Sequence, residues 1–216
     1  ELLAVTRDSV VRRHRVIVGR PDTPTPTLSS VINHFTLAPD WHVPNSIATK
    51  EMLPRIKADI GYLARNNYAV YDPKGRLLDP GAINWKLVTA RHFPYTIRQS
   101  AGCDNALGNI VFRFANPYAV YLHDTPARQL FTQSGRALSH GCIRLAQPME
   151  LAAYLLRRGG QPVELPSEEE CARQPRPRQV QLRQPMPLHI RYATCRAQGD
   201  SLQLLTDVYK RDETIR

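Results

Sequence analysis

β-Branched residues cluster in HRVIVGR (14–20), which Gly19, Arg20 and Pro21 end, so the pattern predicts a strand there. DTPTPTLSS (22–30) reads as a loop, and SVINHFTLAP (30–39) as a second strand closed by Pro39. From about residue 40 the period changes. Leu53, Ile56, Ile60 and Leu63 recur at helical spacing within 45–67. Asn45 or Ser46 is placed to cap the start, and Pro54 to divide the run into two short helices. Residues 69–85 are polar and rich in turn formers. The block 40–105 therefore reads as a helical and loop insertion within a β protein.

Strand character returns at NIVFRF (109–114), where Ile110, Phe112 and Phe114 share a face. In AVYLH (119–123), Val120 and Leu122 share one face, while Ala119, Tyr121 and His123 share the other. QPMELAAYLLRRGG (147–160) is an amphipathic helix, with Pro148 in its first turn and Gly159-Gly160 as its stop. Leu151, Ala152, Leu155 and Leu156 form its apolar stripe. Beyond a linker at 161–178, PLHIRYATC (187–195) and SLQLLTDVY (201–209) alternate as strands about the turn AQGD (197–200). That hairpin is expected to join the main sheet.

With 42% hydrophobic residues among 216, the chain can bury a packed core. It has no apolar run long enough to span a membrane. It opens at Glu1 without a charged-then-apolar leader, so any signal peptide or anchor is expected to lie outside this sequence. Basic residues outnumber acidic ones 29 to 19, a net charge of +10. This suits either a solubilising surface or an anionic partner. The arginines are scattered and follow no recognition-helix or RNA-binding pattern, which disfavours nucleic acid.

The four cysteines, Cys103, Cys142, Cys171 and Cys195, show no C-x-x-C spacing. Cys171 and Cys195 flank a Pro/Arg-rich segment and could close a disulfide loop in an oxidising compartment, or stay free. Cys142 lies in RALSHGCIRL (136–145). A thiol becomes a good nucleophile only with help from a base or backbone dipoles. His123, at a strand end 19 residues upstream, is a candidate base, and Asp124 can orient it through its carbonyl or carboxylate. Gly141 lets the chain turn sharply and leaves the N–H groups of Gly141 and Cys142 to face an oxyanion. Arg144 can fork onto a substrate carboxylate. On spacing alone three readings stay open: a nucleophile, a small buried thiol, or a metal set of His123, His140 and Cys142.

SHGCIR (139–144), preceded by YLHDTP (121–126), resembles the signature of the L,D-transpeptidases, the YkuD-type catalytic domain. The segments RHRVIVGRPDTPTPTLSSVINHFTLAPDWHVPNSIATKEMLPRI, NNYAVYD and LGNIVFRFANPYAVYLHDTP are similar to the large periplasmic YcbB/LdtD-like subgroup. The resemblance implies a mainly β (α+β) fold, a β-sandwich of mixed sheets. Residues 1–39 and 106–216 would form the catalytic domain, and 40–105 a lid over the substrate. It implies that Cys142 attacks the diaminopimelate carbonyl of a peptidoglycan tetrapeptide stem, expels D-Ala and forms a thioester. An amine of a second stem then resolves the thioester into a cross-link. His123 would be the base, the Asp124 carbonyl its orienter, and the Gly141 and Cys142 N–H groups the oxyanion hole. Arg144, Tyr121, His140 and Ser139 would contact substrate. Trp41 and Trp85 are expected in the lid core. No metal or organic cofactor is implied. The partners would be donor and acceptor stems and, as inhibitors, carbapenems. The location would be the periplasm, with a membrane anchor in a longer protein. Water or a protein amine as acceptor, and a non-catalytic wall-binding module, are the alternatives.

Overall fold

The computed structural model describes residues 1–102, 104–167, 170 and 176–212. Its strands, in chain order, are β1 (Leu2–Thr6), β2 (Ser9–His14), β3 (Val16–Gly19), β4 (Leu28–Leu37), β5 (Trp41–His42), β6 (Tyr68–Tyr71), β7 (Leu77–Leu78), β8 (Thr96–Gln99), β9 (Ile110–Phe114), β10 (Leu122–His123), β11 (Ala137–Ser139), β12 (Ile143–Leu145), β13 (Arg178–Ile190), β14 (Cys195–Gln198) and β15 (Ser201–Leu204). The α-helices are α1 (Asn45–Ile47), α2 (Leu53–Ala58), α3 (Gly61–Arg65) and α4 (Pro148–Arg158). The fold is mainly β with mixed sheets, as the resemblance implied. It divides into two compact units: Glu1–Phe35, Val111–Leu165 and Gln179–Arg216 form one, Thr36–Ile110 and Pro166–Arg178 the other.

The first unit is organised by a seven-stranded sheet in the order β11-β3-β12-β10-β9-β4-β13. Short hydrophobic segments fill its middle. Ile17, Phe112, Leu122 and Leu145 are at most 1% exposed. Val111 is buried as well as Phe112, so β9 is covered on both faces. Phe35 packs on Phe112 with ring centroids 5.6 Å apart. β10 pairs antiparallel with β9 and parallel with β12, which requires the chain to cross over between them through residues 124–142. α4 forms as its pattern predicts: Pro148 opens it, and Leu151, Ala152, Leu155 and Leu156 are all buried. Burying each leucine contributes roughly 1.5–3 kcal/mol. The Gln161 N–H then bonds back to the Leu156 carbonyl while Gly160 turns left-handed, which ends the helix.

Three elements differ from the pattern reading. Residues 2–14 form an antiparallel hairpin whose turn residues, Arg7 and Asp8, both have positive φ. That turn suits a two-residue hairpin, but it lacks the usual Asn-Gly signal. The C-terminal hairpin exists at 195–204 about Gly199-Asp200, but β14 and β15 form their own two-stranded sheet. The segment Pro187–Ile190 belongs instead to the long β13 at the sheet's edge, where Pro185 and Pro187 are tolerated because no neighbour needs their missing N–H. The Cys171 side of a Cys171–Cys195 bridge lies outside the described residues; Cys195 is exposed with a free thiol.

The second unit has its own core and, unexpectedly, its own sheet, in the antiparallel order β5-β8-β6-β7. The polar stretch after residue 69 hid β6 and β7. Between them Asp72 accepts the N–H groups of Lys74 and Arg76 and pairs with the Arg76 side chain at 2.6 Å, which closes the turn. Pro54 does not divide the helical run. It lies in the first turn of α2, and a π-turn over Ala48–Met52 joins α1 to α2. The break falls at Asp59, which is extended and whose side chain accepts the Gly61 N–H. Neither Asn45 nor Ser46 caps the start; the cap position is Pro44. Trp85 is buried with its indole N–H on the Pro80 carbonyl, and Trp41 is half-buried against Tyr68. Among the described residues no helix is long and apolar enough to cross a membrane.

Phe112 tests the central sheet. Phe112→Ala should cost about 3–5 kcal/mol of unfolding free energy in urea titration. A loss under about 1 kcal/mol would mean that the Phe35–Phe112 contact is not core.

Candidate active site

The register of β10 with β12 brings the singled-out residues together. His123 lies opposite Arg144, Leu122 opposite Ile143, and the Ile143 N–H bonds to the Tyr121 carbonyl at 3.0 Å. Cys142 therefore lies beside Tyr121, one residue before β12, the strand paired with the one that carries His123. Tyr121 and His123 share a face as the alternation predicts, with rings 5.6 Å apart at 62°.

His123 is 5% exposed, and its Nδ1 lies 2.5 Å from the Asp124 carbonyl oxygen. A carbonyl only accepts, so Nδ1 carries the proton and Nε2 keeps a free lone pair. The backbone oxygen of Asp124, not its carboxylate, orients the ring. The buried carboxylate instead has Arg128 at 3.9 Å. Burial pushes the His123 pKa down to about 3; the nearby Arg144 charge acts the same way, and the Asp124 hydrogen bond opposes it. Burial likewise raises the Cys142 thiol, opposed by hydrogen bonds from Tyr121 and by the charges of Arg144 and Arg113. The pair thus rests as neutral imidazole and neutral thiol. Any attack by sulfur has to move its proton during the step.

Cys142 is a half-buried free thiol. Gly141 before it has φ +116°, where a side chain would be strained, although space for one exists. Ser139 is buried, and its Oγ accepts the Gly141 N–H at 3.1 Å while donating to the Cys142 carbonyl at 2.5 Å. The Gly141 N–H, expected to face an oxyanion, is thus engaged inside the turn. The Cys142 N–H makes no hydrogen bond among the described residues. Arg144 is half-buried, its pKa lowered by burial, and it pairs with no carboxylate among the described residues. His140 is exposed. No three His, Cys, Asp or Glu side chains converge as a metal set among the described residues.

Two residues escaped the sequence reading. Arg113 on β9 lies over the Tyr121 ring at 5.3 Å. The alternation in NIVFRF sets it apart from Phe112 and Phe114, but only the β9–β10 register brings it to Tyr121. Thr25, in a loop with no motif, donates its hydroxyl to the Gly141 carbonyl at 2.8 Å.

The register thus gathers a buried histidine whose Nδ1 is tied to a backbone carbonyl, a half-buried cysteine after a left-handed glycine, and an arginine with no carboxylate partner among the described residues. The family profile of the YkuD L,D-transpeptidase catalytic domain matches residues 1–165, and the chain belongs to that family. It is 34% identical over 211 residues to a Haemophilus influenzae protein named "Putative L,D-transpeptidase". The match covers 95% of this chain and 41% of that relative, so the chain spans less than half its length.

The His123 environment predicts a pH dependence. Above the unfolded-chain value of 6.5 both native and unfolded chains hold neutral imidazole. As pH falls below it, the unfolded chain binds a proton that the native chain refuses until about 3, so stability is lost across that window. NMR of the ring nitrogens should find His123 still neutral at pH 5. A midpoint between 6 and 7 would contradict the buried, singly protonated ring.

Proposed function

We propose that this chain is the catalytic part of a periplasmic peptidoglycan L,D-transpeptidase of the large YcbB/LdtD-like subgroup, and that Cys142 is its acyl-carrying nucleophile. The observation that carries this reading is the Nδ1–H of His123 fixed on the Asp124 carbonyl, which leaves Nε2 as a base on the strand paired with β12, directly after Cys142. Cys142 attacks the L-centre carbonyl of diaminopimelate in a donor tetrapeptide stem as its proton passes to His123. The tetrahedral oxyanion collapses, the bond to D-Ala breaks, and His123 returns the proton to the leaving amine. A thioester remains. The side-chain amine of a second diaminopimelate attacks it and gives its proton to His123. The sulfur then leaves and is reprotonated.

The supporting residues have separate tasks. Arg144, without a carboxylate partner among the described residues, suits a stem carboxylate. Tyr121 holds the sulfur environment through hydrogen bonds, and its ring walls the donor pocket. Ser139 fixes the turn, and His140, exposed beside it, faces substrate. The insertion 40–105 acts as the substrate lid, a reading supported by the separate core and sheet of the unit it belongs to. The basic surface favours an anionic wall polymer. Carbapenems acylate the same sulfur, because their strained lactam carbonyl meets the same nucleophile.

Intact mass spectrometry after incubation with a carbapenem should show one adduct on wild type and none on a folded Cys142→Ala variant. Stem tetrapeptides should be cross-linked by wild type alone. Cross-linking retained in Cys142→Ala would sink the mechanism. Hydrolysis of stems without cross-linking would make water the acceptor, and the enzyme a carboxypeptidase. Replacing residues 45–100 with a short linker should leave a cooperatively unfolding β unit that turns over stems at least about tenfold more slowly, as expected when a closing element is lost. Loss of the fold would show that the second unit is not separable.

A further inference from the structure

The peptide unit between Gly141 and Cys142 is gripped from outside the catalytic motif. Its carbonyl accepts the hydroxyl of Thr25, which is 6% exposed and whose Oγ1 also accepts the Gly19 N–H at 2.9 Å. Gly19 is obligatory there, because an added Cβ would stand 2.1 Å from the Thr23 carbonyl oxygen. The phenol of Tyr209 closes the arrangement by accepting the Thr25 N–H at 3.2 Å and donating to the Gly19 carbonyl at 2.8 Å. Tyr209 is itself held. It stacks on Tyr192 at 5.0 Å, Arg211 covers both rings, and Asp207 accepts the Tyr192 hydroxyl together with two backbone N–H groups.

A peptide unit is planar and trans, so its C=O and N–H point in opposite directions. Fixing the Gly141 oxygen therefore aims the Cys142 N–H to the other side of the turn. That N–H is the backbone donor the turn leaves available, since Ser139 takes the Gly141 N–H. We propose that Thr25 and Tyr209 are positioning residues that aim the Cys142 N–H at the oxyanion formed during acyl transfer. The inference rests on the cysteine acyl-transfer reading of the site. Tyr209 lies beyond residues 1–165, the span of the family match, so the C-terminal segment supplies part of the oxyanion hole's support.

Two reactions of Cys142 separate this role from general support. Acylation by a carbapenem passes through an oxyanion, whereas alkylation by iodoacetamide does not. Thr25→Val should slow acylation about tenfold or more, a part of what losing an oxyanion donor outright costs. Its alkylation rate should stay within about twofold of wild type. Thr25→Ser, which keeps the hydroxyl, should restore acylation. Tyr209→Phe, which keeps the stacked ring, should slow acylation severalfold in the same selective manner. Equal acylation by wild type and Thr25→Val, or parallel slowing of both reactions, would overturn the proposal. If thermal melting shows Thr25→Val unfolded, an unchanged acylation-to-alkylation ratio in Tyr209→Phe would overturn it instead. A wild type that is alkylated at Cys142 but never acylated would remove the acyl-transfer reading itself, a distinguishable outcome.

Discussion

The parallel pairing of β10 with β12 is the constraint on which the site depends. Two strands of two and three residues hold it, and by themselves they would be marginal. Their stability comes from position: β10 lies between β9 and β12, and β12 between β10 and β3, so both are paired on each edge. Leu122 and Ile143 are buried one step before the pair His123–Arg144 in the same register. Because side chains alternate, a single register fixes both an apolar pair and a chemical pair. A slip of one residue would exchange them.

Burial governs the electrostatics of the same place. A solvated histidine is a weak, half-titrated base near neutrality. The His123 ring is instead enclosed, tied at Nδ1 and held neutral well into the acid range. The thiol is also held neutral, with Tyr121, Arg144 and Arg113 acting against its burial. Burial thus acts against charge on both partners, and so against a resting thiolate–imidazolium pair.

What could be read from the chain beforehand was local. The face shared by Tyr121 and His123, the stripe of α4 and the turn at Gly141 follow from spacing over a few residues. Features resting on distant partners could not be read. The four-stranded sheet of the second unit is spread from residue 41 to residue 99 through short segments interrupted by polar turns. The π-turn before Pro54 depends on how α1 and α2 pack, whereas a proline in sequence signals only a break. Ser139's hold on the Gly141 N–H depends on one side-chain rotamer, and Thr25 reaches Gly141 from 116 residues away. These contacts carry no periodicity, so no pattern announces them.

The edge strand β13 has a consequence for the molecule's life in a crowded compartment. A thirteen-residue strand at the rim of a seven-stranded sheet would ordinarily offer a row of unpaired backbone groups to any passing extended chain. Pro185 and Pro187 remove two donors from that row, and Arg178, Arg183 and His189 add charge or polarity along it. The rim is thus a poor template for a foreign strand. The sheet that aligns the chemistry is protected against the self-association that its length would invite.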